Sequence, residues 1–128
     1  MIKSTQTRLL RAARAAAKNA YAPFSKFKVG AAVLTANGRV FAGCNVENGS
    51  YGLTICAERV AIFKAISAGQ REVRAVLVYA DTPELTPPCG ACLQVITEFS
   101  ANPEIVLSNG RSRKTYHLRE LLPLAFRL

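Results

Sequence analysis

The 128 residues of this chain suffice for one folded domain and are too few for two domains of ordinary size. Half of the residues are hydrophobic, yet no apolar stretch reaches the length of a membrane span, so no membrane partner is expected. The net charge is +9, and no acidic residue precedes Glu47, but such a basic excess is more often a solvated surface than a nucleic-acid site. Four cysteines are too few for a disulfide framework and favour metal or redox chemistry.

Apolar periodicity divides the chain into alternating helices and strands. The predicted elements are helix 5–20, strands 28–36 and 39–47, helix 56–67, strand 73–80, helix 89–99, strand 105–107 and a final helical turn at 119–122. Asn37-Gly38 is a strong hairpin signal, and the near-continuous apolar run of 73–80 suits a strand buried on both faces. The alternation predicts a single α/β layered domain over residues 1–128, and the early hairpin makes its sheet mixed.

Two short motifs could supply a metal site. Cys56-Ala57-Glu58 opens one predicted helix, and a Pro-Cys-Gly-Ala-Cys run places Cys89 and Cys92 at the start of another. Three thiolates leave one tetrahedral position of a zinc ion free for water, as in catalytic rather than structural zinc sites. Helix N-termini favour the thiolate form. This pattern, with Glu58 as a non-ligand proton carrier, is typical of zinc nucleobase deaminases.

Three alternatives to this open zinc site agree less well with the sequence. A closed site that includes Cys44 is disfavoured, because strand alternation puts Cys44 opposite the polar pair Asn45 and Glu47. Redox chemistry at Cys89-x-x-Cys92 leaves Cys56 and Glu58 unexplained. A non-catalytic zinc-stabilised binding protein has no use for Glu58. The only histidine, His117, is not needed as a ligand once three cysteines are assigned.

Arg59 lies three residues after Cys56, so its guanidinium can turn back toward the ligand sulfur. Three thiolates over-neutralise Zn²⁺, and hydrogen bonds from Arg59 would withdraw charge from them. A surface ion pair is the simpler alternative. The motifs together indicate hydrolytic deamination, in which Glu58 takes a proton from the activated water and delivers protons to the ring nitrogen and the departing amine.

The chain resembles the small, homotetrameric, zinc-dependent cytidine deaminases, from about Tyr21 to Phe126. The matching segments are Tyr21–Gly30, Gly43–Asn48, Cys56–Arg59, Pro88–Cys92 and Leu121–Phe126. The resemblance implies a three-layer α/β/α fold with a mixed, mostly five-stranded sheet. It implies one zinc ion per subunit, a cytoplasmic location and deamination of cytidine and 2′-deoxycytidine in nucleoside salvage.

The resemblance also implies roles for substrate-binding residues. Asn45 and Glu47 are similar to the pair that hydrogen-bonds the ribose hydroxyls, and Phe27 to the aromatic that packs on the pyrimidine. The backbone N–H of Ala57 corresponds to a contact with the base carbonyl. By pattern alone, Phe27 would be a core residue, Asn45 a strand-end turn residue and Glu47 an exposed charge.

Tyr51 and Phe126 resemble residues that reach the site of a neighbouring subunit, which implies shared active sites in a tetramer. Two positions depart from the family pattern, with Leu93 where Arg is usual and Val60 where Thr is usual. Two other substrates stay open: cytosine in a polynucleotide, suggested by the +9 charge, and a cytosine-containing antibiotic such as blasticidin S. The short chain lacks Trp and any insertion that would build a polynucleotide groove, so nucleic acid is not the expected partner.

Overall fold

The computed structural model describes the whole chain, Met1–Leu128. Its elements in chain order are α1 (Lys3–Ala17), β1 (Val29–Thr35), β2 (Val40–Cys44), a 3₁₀ turn (Tyr51–Leu53), α2 (Ala57–Ser67), β3 (Val73–Ala80), α3 (Gly90–Phe99), β4 (Glu104–Ser108), β5 (Arg113–His117) and α4 (Leu118–Leu121). None of these helices is long and apolar enough to cross a bilayer.

The five strands form one mixed sheet in the order β2-β1-β3-β4-β5. Only β3 and β4 run parallel, and the other three neighbouring pairs are antiparallel. A parallel pair needs a crossover connection, which α3 supplies. The hairpin of β1 and β2 turns at Gly38, whose φ of 86° is a conformation that glycine adopts without strain.

Helices cover both faces of the sheet, which gives the expected α/β/α layering. On one face α1 packs Leu9 and Ala13 against Ala32, Leu77 and other strand residues. On the other face α2 and α3 enclose the larger core. Strand β3 sits at the centre, and six of its eight residues are buried with alternate residues in the two cores. This confirms the mixed sheet and the doubly buried central strand.

Three features of the fold differ from the sequence-based expectation. Helix α1 ends at Ala17 rather than at residue 20, and β2 ends at Cys44 rather than at residue 47. Strand β5 was not predicted from periodicity, because its Arg-Lys-Thr-Tyr-His sequence is polar and its residues are largely exposed at the sheet edge. Only the family resemblance called for a fifth strand.

Candidate functional site

Two helix N-termini bring three cysteines together. Cys56 is the N-cap of α2 and Cys89 is the N-cap of α3, both with extended backbone dihedrals. Cys92 lies in the first turn of α3 and is buried. The two helices lie on the same face of the sheet, so their first turns meet beside each other. The expectation that Cys56 and Cys89 open helices is therefore confirmed.

The geometry of the three thiols fits a tetrahedral metal. All three Sγ atoms lie within 4.8 Å of one another, and those of Cys56 and Cys89 are 3.8 Å apart. A tetrahedral zinc ion with Zn–S bonds of about 2.3 Å needs its sulfur ligands about 3.8 Å apart. Cys44 stays outside this cluster as a half-buried free thiol, and His117 caps the short helix α4. The donor set is thus three thiols with room for a fourth ligand.

The three thiols can all ionise only beside a cation. Hydrogen bonds from Cys92 and from the Arg59 guanidinium lower the pKa of Cys56 to about 5. The pKa of Cys92 is raised, because its proton is held by Cys56 and the thiol is buried. Three thiolates at this spacing repel one another, so a divalent ion is needed before all three can ionise together. Zinc satisfies this need, and thiolate ligands favour it.

Arg59 is turned back onto the cluster. Its Nη2 donates to the Sγ of Cys56 over 3.4 Å, and this contact raises the pKa of the guanidinium. The Nε of Arg59 is buried without a hydrogen-bond partner. Leu93, which stands where the family usually has Arg, points into the apolar core and is 7% exposed. The guanidinium of Arg59 is therefore the cation that directly contacts the thiols.

Glu58 lies in the first turn of α2 and is only 4% exposed. Burial raises the pKa of its carboxyl to about 7, and the neighbouring Cys56 thiolate acts in the same direction. Hydrogen bonding from the Cys92 thiol and the positive charge of Arg59 lower the pKa of this carboxyl, but burial outweighs both. A carboxyl with a pKa near neutrality can both take up and release a proton at physiological pH.

Asn45 and Glu47 hold the segment that precedes β1. The Asn45 side chain accepts from the Val29 N–H over 2.9 Å and donates to the Phe27 carbonyl over 2.7 Å. Asn45 directly follows the end of β2, as a strand-end residue would, and its side chain is buried. Phe27 itself is not core, since 39% of its surface is exposed beside this segment.

The Glu47 carboxylate is hydrogen-bonded to the turn at Phe24 and Ser25. It accepts hydrogen bonds from both backbone N–H groups, at 2.9 and 3.1 Å, and from the Ser25 hydroxyl. The hydroxyl contact is the main reason why the pKa of Glu47 is held below its usual value. Ser25 also accepts from the Phe27 N–H over 3.0 Å. Ser25 stands in a turn after Pro23, where a serine carries no specific signal in the sequence.

The remaining candidate residues lie at exposed positions, apart from Ala57. Ala57 is fully buried at the first position of α2, where a helix N–H has no intrahelical acceptor. Tyr51 and Phe126 are 75% and 70% exposed. The carbonyl of Phe126 accepts from the Gln94 side chain over 2.8 Å, which fixes the C-terminal segment against α3. Within one chain, neither aromatic ring is covered.

Comparison with known proteins agrees with this site. The family model of the cytidine and deoxycytidylate deaminase zinc-binding region matches residues 3–108. A cytidine deaminase of Halalkalibacterium halodurans is 49% identical over 120 residues, 92% of this chain and 91% of that protein. The crystal structure of cytidine deaminase from Burkholderia pseudomallei superposes with a TM-score of 0.90 at 47% identity, covering 98% of this chain and 100% of the other.

A more distant relative is a blasticidin-S deaminase of Bacillus cereus, which is 30% identical over 111 residues, 80% of this chain and 79% of that protein. The match of the family model covers both helices that carry the thiols, and it includes Glu58. The zinc-binding region that the model describes therefore coincides with the thiol cluster of the structure. By sequence, fold and metal-binding residues, this chain belongs to the cytidine and deoxycytidylate deaminase family of zinc enzymes.

Proposed function

We propose that the chain is a zinc-dependent hydrolase that converts cytidine and 2′-deoxycytidine to uridine and 2′-deoxyuridine, with release of ammonia. The observation that carries this proposal is the buried Glu58 carboxyl beside three clustered thiols. Its relatives at 40–49% identity are named cytidine deaminases, whereas the blasticidin-S deaminase is less similar. The one sheet that carries both hydrophobic cores supports treating residues 1–128 as a single catalytic domain.

The proposed catalytic residue is Glu58. Zinc held by Cys56, Cys89 and Cys92 supplies a Lewis acid that lowers the pKa of water toward neutrality. Glu58 would accept the proton that water gives up and donate it to the ring nitrogen of cytosine. It would then take up the proton of the hydroxyl group newly bonded to the ring carbon and donate that proton to the amine as the carbon–nitrogen bond breaks. Its pKa of about 7 suits both directions of transfer, because neither the charged nor the neutral form is strongly favoured.

Arg59 is proposed to balance the charge of the ligands. Three thiolates carry one more negative charge than zinc neutralises, which would weaken the acidifying effect of the metal on water. The hydrogen bond from Nη2 to Cys56 withdraws electron density from that sulfur. The guanidinium also helps to hold Cys56 as thiolate, since it contributes to the lowered pKa.

The substrate contacts in this proposal rest on the resemblance to the cytidine deaminase family. We assign Phe27 to the face of the pyrimidine, the Ala57 N–H to the base carbonyl, and Asn45 and Glu47 to the ribose hydroxyls. Asn45 and Glu47 already bond backbone groups, but the Asn45 amide can donate and accept further hydrogen bonds, and the Glu47 carboxylate can accept further ones. Free ribose hydroxyls favour a nucleoside over a polynucleotide, in which the 3′ and 5′ oxygens are esterified.

The proposal also covers the oligomeric state and the cellular location of the protein. Tyr51 and Phe126 are proposed to complete the site of a neighbouring subunit in a homotetramer, and their exposure in the single chain supports this. We place the enzyme in cytoplasmic nucleoside salvage. Four unpaired cysteines suit a reducing compartment, where thiolates remain available to a metal.

The first experiment mixes purified protein with cytidine and follows the ultraviolet spectrum for conversion to uridine. We expect conversion by the native protein and a loss of about 10²–10⁴-fold in kcat for Glu58→Ala, which is the usual contribution of general acid–base catalysis. Zinc content is measured in both proteins, so that loss of metal is not mistaken for loss of the proton carrier. A folded, zinc-loaded native protein without conversion would refute the cytidine assignment. Blasticidin S and single-stranded DNA are tested in parallel for the two other substrates.

A further inference from the structure

A cavity lies on the opposite side of the sheet from the thiol cluster. Its volume is about 400 Å³, which lies within the usual range for small-molecule sites. Helix α1, which lines it, packs on the sheet face opposite α2 and α3. The residues that line it are Arg14, Ala17, Lys18, Lys28, Tyr79 and Asp81. None of them belongs to the catalytic machinery proposed above.

Three cationic side chains line this cavity without an anionic partner. Arg14, Lys18 and Lys28 form no ion pair within the chain, and their side chains donate no hydrogen bond to protein. The nearby carboxylate of Asp81 already pairs with Arg111 over 3.1 Å. Like charges held close together repel each other, so a grouping of this kind favours the binding of an anion.

The guanidinium of Arg14 is held in place before any ligand arrives. Its Cζ lies 5.2 Å from the centroid of the Tyr79 ring, in a cation–π contact. It also lies so close to Gly110 that a Cβ on that residue would overlap it. Since Gly110 has a φ of 87°, glycine suits both the turn and the space that Arg14 occupies. A pre-positioned guanidinium loses less entropy when it binds a phosphate.

A neighbouring cavity of about 310 Å³ shares Arg14 and Lys18 and adds Arg11. The positive surface is therefore longer than a single phosphate. We propose that Arg14, Lys18 and Lys28 form a binding site for a short polyphosphate chain, either inorganic or carried by a nucleoside triphosphate. The site does not depend on the deaminase activity proposed above, and it lies outside the residues of that reaction.

The test is isothermal titration of the zinc-loaded protein with sodium tripolyphosphate at low ionic strength, with ATP and CTP as separate arms. We expect saturable binding, weakened about tenfold by Arg14→Gln and by Lys18→Gln, as the loss of one charged hydrogen bond implies. The matched control is Arg74→Gln, which removes the same charge from the exposed, opposite end of β3 and should change the affinity less than about twofold. Zinc content is measured afterwards, because polyphosphates chelate metals.

The outcomes separate the sources of the ligand. Equal affinities for tripolyphosphate and the nucleotides would show that the phosphate chain alone is recognised, and tighter binding of one nucleotide would assign the site to it. No binding by the native protein would overturn the proposal. An equal loss in Arg74→Gln would also overturn it, since general attraction by the +9 charge would then suffice. Binding of a single-stranded oligonucleotide without binding of tripolyphosphate would instead identify a nucleic-acid surface.

Discussion

At the scale of single residues, Ser25 connects two residues that we assign to the substrate, through the carboxylate of Glu47 and the backbone of Phe27. Its hydroxyl donates to the Glu47 carboxylate and accepts from the N–H of Phe27. Lys26, which lies between Ser25 and Phe27 in the chain, has a φ of 61°. A lysine adopts this conformation only when its surroundings fix it. Ser25 is therefore well placed to position the Phe27 ring and the free lone pairs of Glu47.

We predict that Ser25→Ala raises KM for cytidine about tenfold with little change in kcat. Loss of the hydroxyl removes its hydrogen bond to the Glu47 carboxylate, and a hydrogen bond to a charged group is worth about 1.5–3 kcal/mol. It also leaves the Phe27 N–H without an acceptor. Ser25→Thr keeps the hydroxyl and should restore most of the affinity. Ser4→Ala, on α1, is the matched control and should match the native enzyme. An unchanged KM in Ser25→Ala would contradict the positioning role.

The residues of the site differ in how far the sequence could predict them. Some neighbours in the site are three residues apart on one helix, as Cys89 is from Cys92 and Cys56 is from Arg59. Spacing alone therefore predicts that the members of each pair share a helix face. The contacts of Glu47 lie 22 and 23 residues away in the chain. Contacts at such separation depend on tertiary folding, which is why periodicity left Glu47 as an exposed charge and did not identify Ser25.

At the scale of elements, the closeness of α1 to β1 depends on Gly30. A Cβ at Gly30 would overlap the carbonyl oxygen of Ala13 and would lie 2.9 Å from the backbone nitrogen of Ala17. Both atoms belong to the helix backbone, which cannot move aside as a flexible side chain can. The position thus sets the distance between this helix and the sheet.

We predict that Gly30→Ala lowers the free energy of unfolding by about 3 kcal/mol, at the upper end of the usual cost of overpacking a core. Thermal unfolding should show a fall in Tm of roughly 10 °C for a domain of this size. Gly52→Ala provides the matched control, because a Cβ there meets no atom within 4 Å and the φ is not positive. Equal Tm values for both variants would show that α1 can shift at little cost.

The elements show where sequence periodicity succeeds and where it fails. Strand β3 was predicted with its observed bounds because six of its eight residues are buried, so nearly every position is apolar. Strand β5 is an exposed edge whose register is set by pairing with β4, from Glu104–His117 to Ser108–Arg113. Backbone hydrogen bonds to β4 hold β5 in the sheet, and such bonds impose no periodic pattern on the side chains.

At the scale of the whole molecule, most of the exposed large apolar side chains lie away from α1, and Ile2 at its N-cap is an exception at 70% exposed. Phe63 of α2 is 44% exposed and borders a cavity with Phe41, Ile55 and Val60. Tyr51 and Phe126 are more exposed still. Exposed apolar patches of this kind mark association surfaces, whereas the exposed residues of α1 are mostly polar and basic. This asymmetry supports a tetramer that associates through the α2 side and leaves α1 facing solvent.

The prediction at this scale is that Phe63→Asp dissociates the proposed homotetramer. A charge in an apolar interface is left without a partner, and loss of an aromatic anchor at an interface costs about 2 kcal/mol or more. Sedimentation velocity should show the native protein at four times the chain mass and the variant at a smaller mass. Ala15→Asp, on the exposed side of α1, introduces the same charge and should leave the tetramer intact. Because Tyr51 and Phe126 are proposed to act across subunits, cytidine conversion should fall with dissociation, by at least about tenfold in kcat/KM. A dissociated variant with full activity would show that each chain completes its own site, and a tetrameric variant would move the interface away from α2.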